Sequence, residues 1–114
     1  MHLACPCCGF NTIEHQMYGS YMLCPICDWE DDQVQLANPC SRGGANHYSL
    51  AEEQMKFGKR VDIGTQLYKG YTRNHYWRPL NESELSFYRA QSKVEPWANK
   101  GIIDAGNVYW VSNS

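Results

Sequence analysis

The chain has 114 residues, 43% of them hydrophobic and 13% aromatic, with 10 basic and 12 acidic side chains and a formal charge of −2. That composition is rich enough for one modest core and excludes a disordered tail. No apolar run approaches the roughly 18 residues that a membrane-spanning helix needs, and the acidic balance argues against a strongly basic binder of phosphate backbones.

The first motif in chain order is a pair of thiols in Cys5-Pro6-Cys7-Cys8-Gly9, echoed by Cys24-Pro25-Ile26-Cys27-Asp28. Proline after the first thiol fixes φ and starts a tight turn, and glycine after the second can take a positive φ. Two intervening residues let one turn aim both sulfurs at one metal. Cys5, Cys8, Cys24 and Cys27 therefore read as a closed four-thiolate site for one structural Zn2+. Tetrahedral all-sulfur coordination also suits iron, and zinc is the default for paired knuckles. Four residues precede Cys5. That leaves no room for a signal peptide, so the expected compartment is a reducing cytoplasm, and the expected chemistry is metal ligation rather than disulfides. Four thiolates and one divalent cation would take the net charge to about −4.

Between the knuckles, Phe10, Thr12 and Ile13 suit a strand, as do Tyr21, Met22 and Leu23, with Gly19-Ser20 as the turn between them. This predicts a hairpin carrying the two knuckles, a zinc ribbon over residues 1–35. Residues 36–114 form the helical and aromatic-rich remainder of one domain. Gly43-Gly44-Ala45-Asn46 reads as a loop, and Ser49 with Glu52 forms a capping box that opens a helix over 50–57, stopped by Gly58. Pro79 followed by Asn81 and Glu84 predicts a second helix over 82–92. Val61 to Trp77 is ambiguous. Ile102, Ile103 and the run Val108-Tyr109-Trp110-Val111 have strand composition, with a turn at 104–107. The expected fold is α+β: an N-terminal four-cysteine zinc ribbon, then short helices and a C-terminal antiparallel strand element.

The run Cys5-Pro6-Cys7-Cys8-Gly9, the second knuckle, Trp29-Glu30-Asp31-Asp32, Gly43-Gly44-Ala45-Asn46 and Ser49-Leu50 resemble the CPCC family of small bacterial cysteine-rich proteins. The resemblance covers roughly residues 5–58. It implies a zinc-ribbon-like element and no established activity. Proteins of this kind are the sort encoded beside bacterial toxins, which suggests partner-specific binding by the remaining half.

Cys7 and Cys40 are left over from the metal set. Cys7 reads as a knuckle residue and Cys40 as a free thiol. Asp28, Glu30, Asp31 and Asp32 read as an acidic surface for a basic partner, because adjacent carboxylates on an extended chain point to opposite faces and do not easily share a catalytic site. His47 and His75 offer no spacing that joins them into one active site, and no phosphate loop, nucleophile elbow or zinc-protease motif is present. Tyr68, Tyr71, Tyr76 and Trp77, interleaved with Lys69, Arg73 and Arg78, support three readings: core packing, base stacking on nucleic acid, or a protein interface built on Tyr71, Arg73 and Trp77.

The sequence thus points to a non-enzymatic, zinc-stabilised protein-binding module. Its specific form would be an immunity protein that neutralises a basic bacterial toxin. The alternatives are a nucleic-acid-binding zinc ribbon and a small metal-dependent enzyme.

Overall fold

The computed structural model describes residues 2–94 and 108–111. In chain order they form strands β1 (Leu3–Ala4) and β2 (Asn11–Ile13), helices α1 (Gln33–Ala37) and α2 (Leu50–Gly58), strands β3 (Leu67–Tyr68) and β4 (Tyr71–Thr72), and helix α3 (Glu82–Val94). The α+β class expected from the sequence holds.

The knuckles do not sit on one shared hairpin. Each is closed by its own short antiparallel pairing. β1 pairs with β2 across the first, with Leu3 opposite Ile13. Across the second, Leu23 bridges to Glu30, Tyr21 N–H donates to the Asp31 carbonyl and Asp31 N–H to the Met22 carbonyl. The reason is local. Gly19 and Tyr21 take φ of +99° and +60°, which breaks the extended run needed to reach β2. The segment from Tyr21 to Leu23 turns instead toward residues 29–31.

Helix α1 forms between the second knuckle and the Gly-Gly-Ala-Asn loop, where the sequence reading places no helix. Asp32 is its N-cap, accepting from the backbone N–H groups of Val34 and Gln35. Helix α2 follows its capping box closely: Ser49 Oγ accepts from Glu52 N–H, and Glu52 Oε1 accepts from Ser49 N–H. Its Leu50, Ala51, Gln54 and Phe57 face inward. Helix α3 opens on the same reciprocal device between Asn81 and Glu84. None of its residues is fully buried.

The ambiguous segment after Val61 contains the β3–β4 hairpin. The chain leaving it joins the first knuckle, because Phe10 and Arg73 form a bridge and Asn74 N–H donates to the Gly9 carbonyl at 2.8 Å. Near the C-terminus, 108–111 form a turn, with Val111 N–H on the Val108 carbonyl, rather than part of a strand pair. Val108 and Trp110 are buried. The other half of the expected C-terminal strand element, Ile102, Ile103 and the turn at 104–107, lies outside the described residues.

One apolar cluster gathers Leu3, Phe10, Ile13, Trp29, Leu50, Phe57 and Trp77 around Cys5, Cys7, Cys8 and Cys24. Each large side chain buried there contributes about 1.5–3 kcal/mol relative to exposure. The thiols therefore form part of the core rather than an appendage to it.

Candidate metal centre

The two knuckles are built alike. In the first, Gly9 N–H donates to the Cys5 carbonyl and Cys5 N–H to the Phe10 carbonyl. In the second, Asp28 N–H donates to the Cys24 carbonyl and Cys24 N–H to the Trp29 carbonyl. The residue after the second thiol has positive φ in both, +82° at Gly9 and +65° at Asp28. Glycine and aspartate are among the residues that enter this region most readily. Tight turns of this form turn both thiols of a pair to one side.

The result is a four-sulfur cluster. One Sγ each from Cys5, Cys8, Cys24 and Cys27 lie within 4.8 Å of one another. Cys5 and Cys27 sulfurs are 3.6 Å apart, and Cys8 and Cys24 sulfurs 3.7 Å. Four sulfurs at about 2.3 Å from a tetrahedral ion would be separated by about 3.8 Å, so the donor set fits one metal ion with modest contraction of its wider edges. Among the described residues, this is the group of three or more ligand-type side chains close enough to share an ion.

The surroundings set the Cys24 sulfur apart from the other three. Ile26 N–H donates to Cys24 Sγ at 3.4 Å, and Thr12 Oγ1 lies 3.1 Å from the same sulfur. Hydrogen bonds from Cys27, Cys5 and Cys8 hold the Cys24 thiol well below the usual range. Burial pushes Cys5 up, and the bond to the Cys24 sulfur pushes up Cys8 and Cys27. A divalent cation would displace the thiol protons and supply the positive charge that four clustered thiolates require.

The walls of this centre come from residues far away in sequence. Trp77 Nε1–H and Gln54 Nε2–H both donate to the Pro6 carbonyl, at 3.1 and 2.9 Å. Arg73 Nε–H donates to the Cys8 carbonyl at 3.0 Å, and its Nη1 donates to the carbonyls of Asp62, Ile63 and Thr65. Its guanidinium lies 4.3 Å from the Phe10 ring centroid. Tyr18 Oη–H donates to the Ala4 carbonyl at 2.6 Å.

These contacts correct several expectations. Of the three readings open for the aromatic-basic run, Arg73 and Trp77 follow core packing rather than a protein or nucleic-acid interface: both are buried, because their donors satisfy the backbone of the first knuckle and of residues 62–65. Tyr71 is half-buried, packed against the core. Tyr68 packs on Phe10, and Tyr76 stands exposed. Asp31 and Asp32 are not on an acidic surface either. Asp31 is fully buried and accepts from Ser20 N–H and Oγ–H through Oδ2. Asp32 caps α1 with Oδ1 and takes Ala45 N–H on Oδ2. Of the four acidic residues, Asp28 is exposed and Glu30 is half-buried.

A buried polar network that sequence reasoning misses explains the Gly-Gly-Ala-Asn loop. The Asn46 side chain pairs with Glu30 as a strand would, accepting from its N–H and donating to its carbonyl, both at 2.8 Å. Gln35 Nε2 donates to the carbonyls of Ser41, Asn46 and Tyr48, while its Oε1 accepts from Asn46. A β-carbon on Gly44 would lie 2.6 Å from Asp32 Oδ2. The signal available in sequence is Asp32 standing directly before a helical stretch, as an N-cap does.

The leftover thiols divide. Cys7 is buried beside the cluster, and Cys40 is half-buried with its sulfur 3.9 Å from the Leu85 carbonyl. His47 is exposed with its ring edge on Tyr48, and His75 is exposed.

A family profile described as cysteine-rich CPCC matches residues 3–74. The chain belongs to this family. The match extends past Ser49-Leu50 through the β3–β4 hairpin to Arg73 and Asn74, the residues that close onto the first knuckle. A comparison with curated proteins returns no match. Among the described residues, no helix is long and apolar enough to cross a membrane.

Proposed function

We propose that this chain is a non-enzymatic binding module whose scaffold is fixed by one structural zinc ion. The observation that carries the reading is the closed set of four core-embedded cysteine sulfurs. A four-thiolate shell leaves no position for substrate, which separates it from catalytic zinc sites with three protein ligands and an open fourth. Zinc is preferred over iron as the usual occupant of paired two-residue knuckles.

In its finer form, the module is an immunity-type protein that binds and neutralises a toxin. Support comes from the CPCC resemblance. Any electrostatic attraction to a basic partner would rest on Asp28 and Glu30, since Asp31 and Asp32 are committed internally. The nucleic-acid reading loses Arg73 and Trp77, its central cation and ring, to the core.

Two measurements test this. Elemental analysis of protein purified without added metal should give one zinc per chain and a colourless solution; iron would betray itself by thiolate-to-metal absorption. Co-expression with the product of the adjacent gene should give a complex stable at micromolar concentration. Separate elution of the two proteins would contradict the immunity reading while leaving the zinc scaffold standing.

A further inference from the structure

We propose that Cys7 is the resolving thiol of a peroxide-sensitive switch at the metal centre, closing a reversible disulfide with Cys27. The two residues line one cavity of about 270 Å³, together with Asp28, Glu53, Lys56 and Arg60. A side-chain hydrogen bond joins Cys7 to Cys27. Cys7 stands outside the four sulfurs that share an ion. It is a fifth thiol, in contact with one ligand, that metal ligation leaves unused.

The four ligands differ in exposure. Cys5, Cys8 and Cys24 are fully buried, and Cys27 is half-buried. An oxidant arriving from solvent therefore meets Cys27 first. Two acids and two cations stand beside Phe57 in the cavity wall, so the cavity suits a small, water-like, hydrogen-bonding molecule. Hydrogen peroxide is a molecule of that kind.

The step is a two-electron oxidation. The Cys27 thiolate attacks one peroxide oxygen, the O–O bond breaks, hydroxide leaves, and Cys27 becomes a sulfenic acid. The hydroxide takes the Cys7 proton to form water. The Cys7 thiolate attacks the Cys27 sulfur, the S–O bond breaks, the S–S bond forms, and a second hydroxide leaves. The two sulfurs lose the two electrons that the peroxide gains. Cys7 is free for this role because ligation occupies Cys5, Cys8 and Cys24. The product leaves three thiolates for the metal, so a closed structural shell becomes an open one. The inference rests on the four-thiolate reading of the metal centre.

The test treats the full-length, zinc-loaded protein with a few equivalents of hydrogen peroxide and alkylates the remaining thiols. Tandem mass spectrometry of chymotryptic peptides maps the cross-link while a chromogenic chelator follows released zinc. Cys7–Cys27 should be the first disulfide to form, zinc release should keep pace with it, and dithiothreitol with added zinc should reverse both. Cys7→Ser should hold as much zinc as the parent before oxidation, then accumulate Cys27 sulfinic acid with no dithiothreitol-reversible link. Cys7→Ala is the second variant should serine in this buried position prevent folding. A first disulfide joining Cys27 to Cys5, Cys8 or Cys24, or zinc release with Cys27 unmodified, would overturn the switch and leave the zinc scaffold standing. Protein that carries no zinc before oxidation would overturn the scaffold reading and the switch with it.

Discussion

Gly9 lies flat against the Trp77 indole: a β-carbon placed on residue 9 would fall 2.2 Å from ring atom Cε3. The first knuckle therefore depends on a residue 68 positions later in the sequence, and the tryptophan returns the contact through its hydrogen bond to Pro6. The knuckle is a turn pressed beneath a ring, held by the ring on one side and by its sulfurs on the other.

Gly9→Ala should accordingly be severe. It combines a positive φ with a ring that cannot move without breaking the Pro6 bond, and a loss of about 3 kcal/mol or more is expected. Asp28 occupies the equivalent position of the second knuckle, also at positive φ, but is exposed. Asp28→Gly should change stability by no more than about 1 kcal/mol. Denaturant midpoints of the two variants check the contrast.

The four acidic residues after the second knuckle should separate by burial rather than by charge. Asp32→Ala removes the cap of α1 and strands Ala45 N–H, with an expected cost of about 2–3 kcal/mol. Asp28→Asn should fall within about 0.5 kcal/mol of the parent protein. If the two variants unfolded at the same denaturant concentration, the internal role assigned to Asp32 would be wrong.

Acid should weaken the surface ion pairs in a defined window. The Arg42 guanidinium beside Glu52, with help from Ser49, lowers the Glu52 carboxyl to about 2. Arg78 lowers Glu84 in the same way. A depressed carboxyl stabilises the fold above its unfolded value, and that contribution disappears as pH falls from about 4.5 toward 2. The Arg42–Glu52 pair is largely exposed, so water and salt screen it and the change is small. Arg42→Ala should flatten this part of the stability–pH curve, and urea unfolding at pH 6 and at the acid end, about pH 3, measures it.

Local chemistry is legible in the sequence, and long-range commitment is not. The four thiols are readable because two-residue spacing with proline and glycine defines a knuckle on its own. The Ser49–Glu52 and Asn81–Glu84 boxes are readable for the same reason, since each is complete within four residues. The internal commitment of Asp31 and Asp32 escapes the sequence reading, and for Arg73 and Trp77 the sequence leaves core packing open beside two surface readings. Both runs stay undecided until the partners are known, and those partners are Ser20, Ala45, Cys8 and Pro6. The pairing of the strands escapes a sequence reading because it is decided by two backbone conformations, at Gly19 and Tyr21, and the tyrosine gives no hint of a positive φ.

The central claim is that four sulfurs on one ion hold the knuckles, and through them the core, in place. Stepwise removal of metal by a zinc chelator, with released zinc and near-ultraviolet tryptophan dichroism recorded on the same sample, tests it directly. Loss of one zinc per chain should coincide with loss of the tertiary signal and with four thiols becoming open to alkylation, and re-addition of zinc should restore both. A metal-free protein that kept its tryptophan signal with those thiols still shielded would contradict the account.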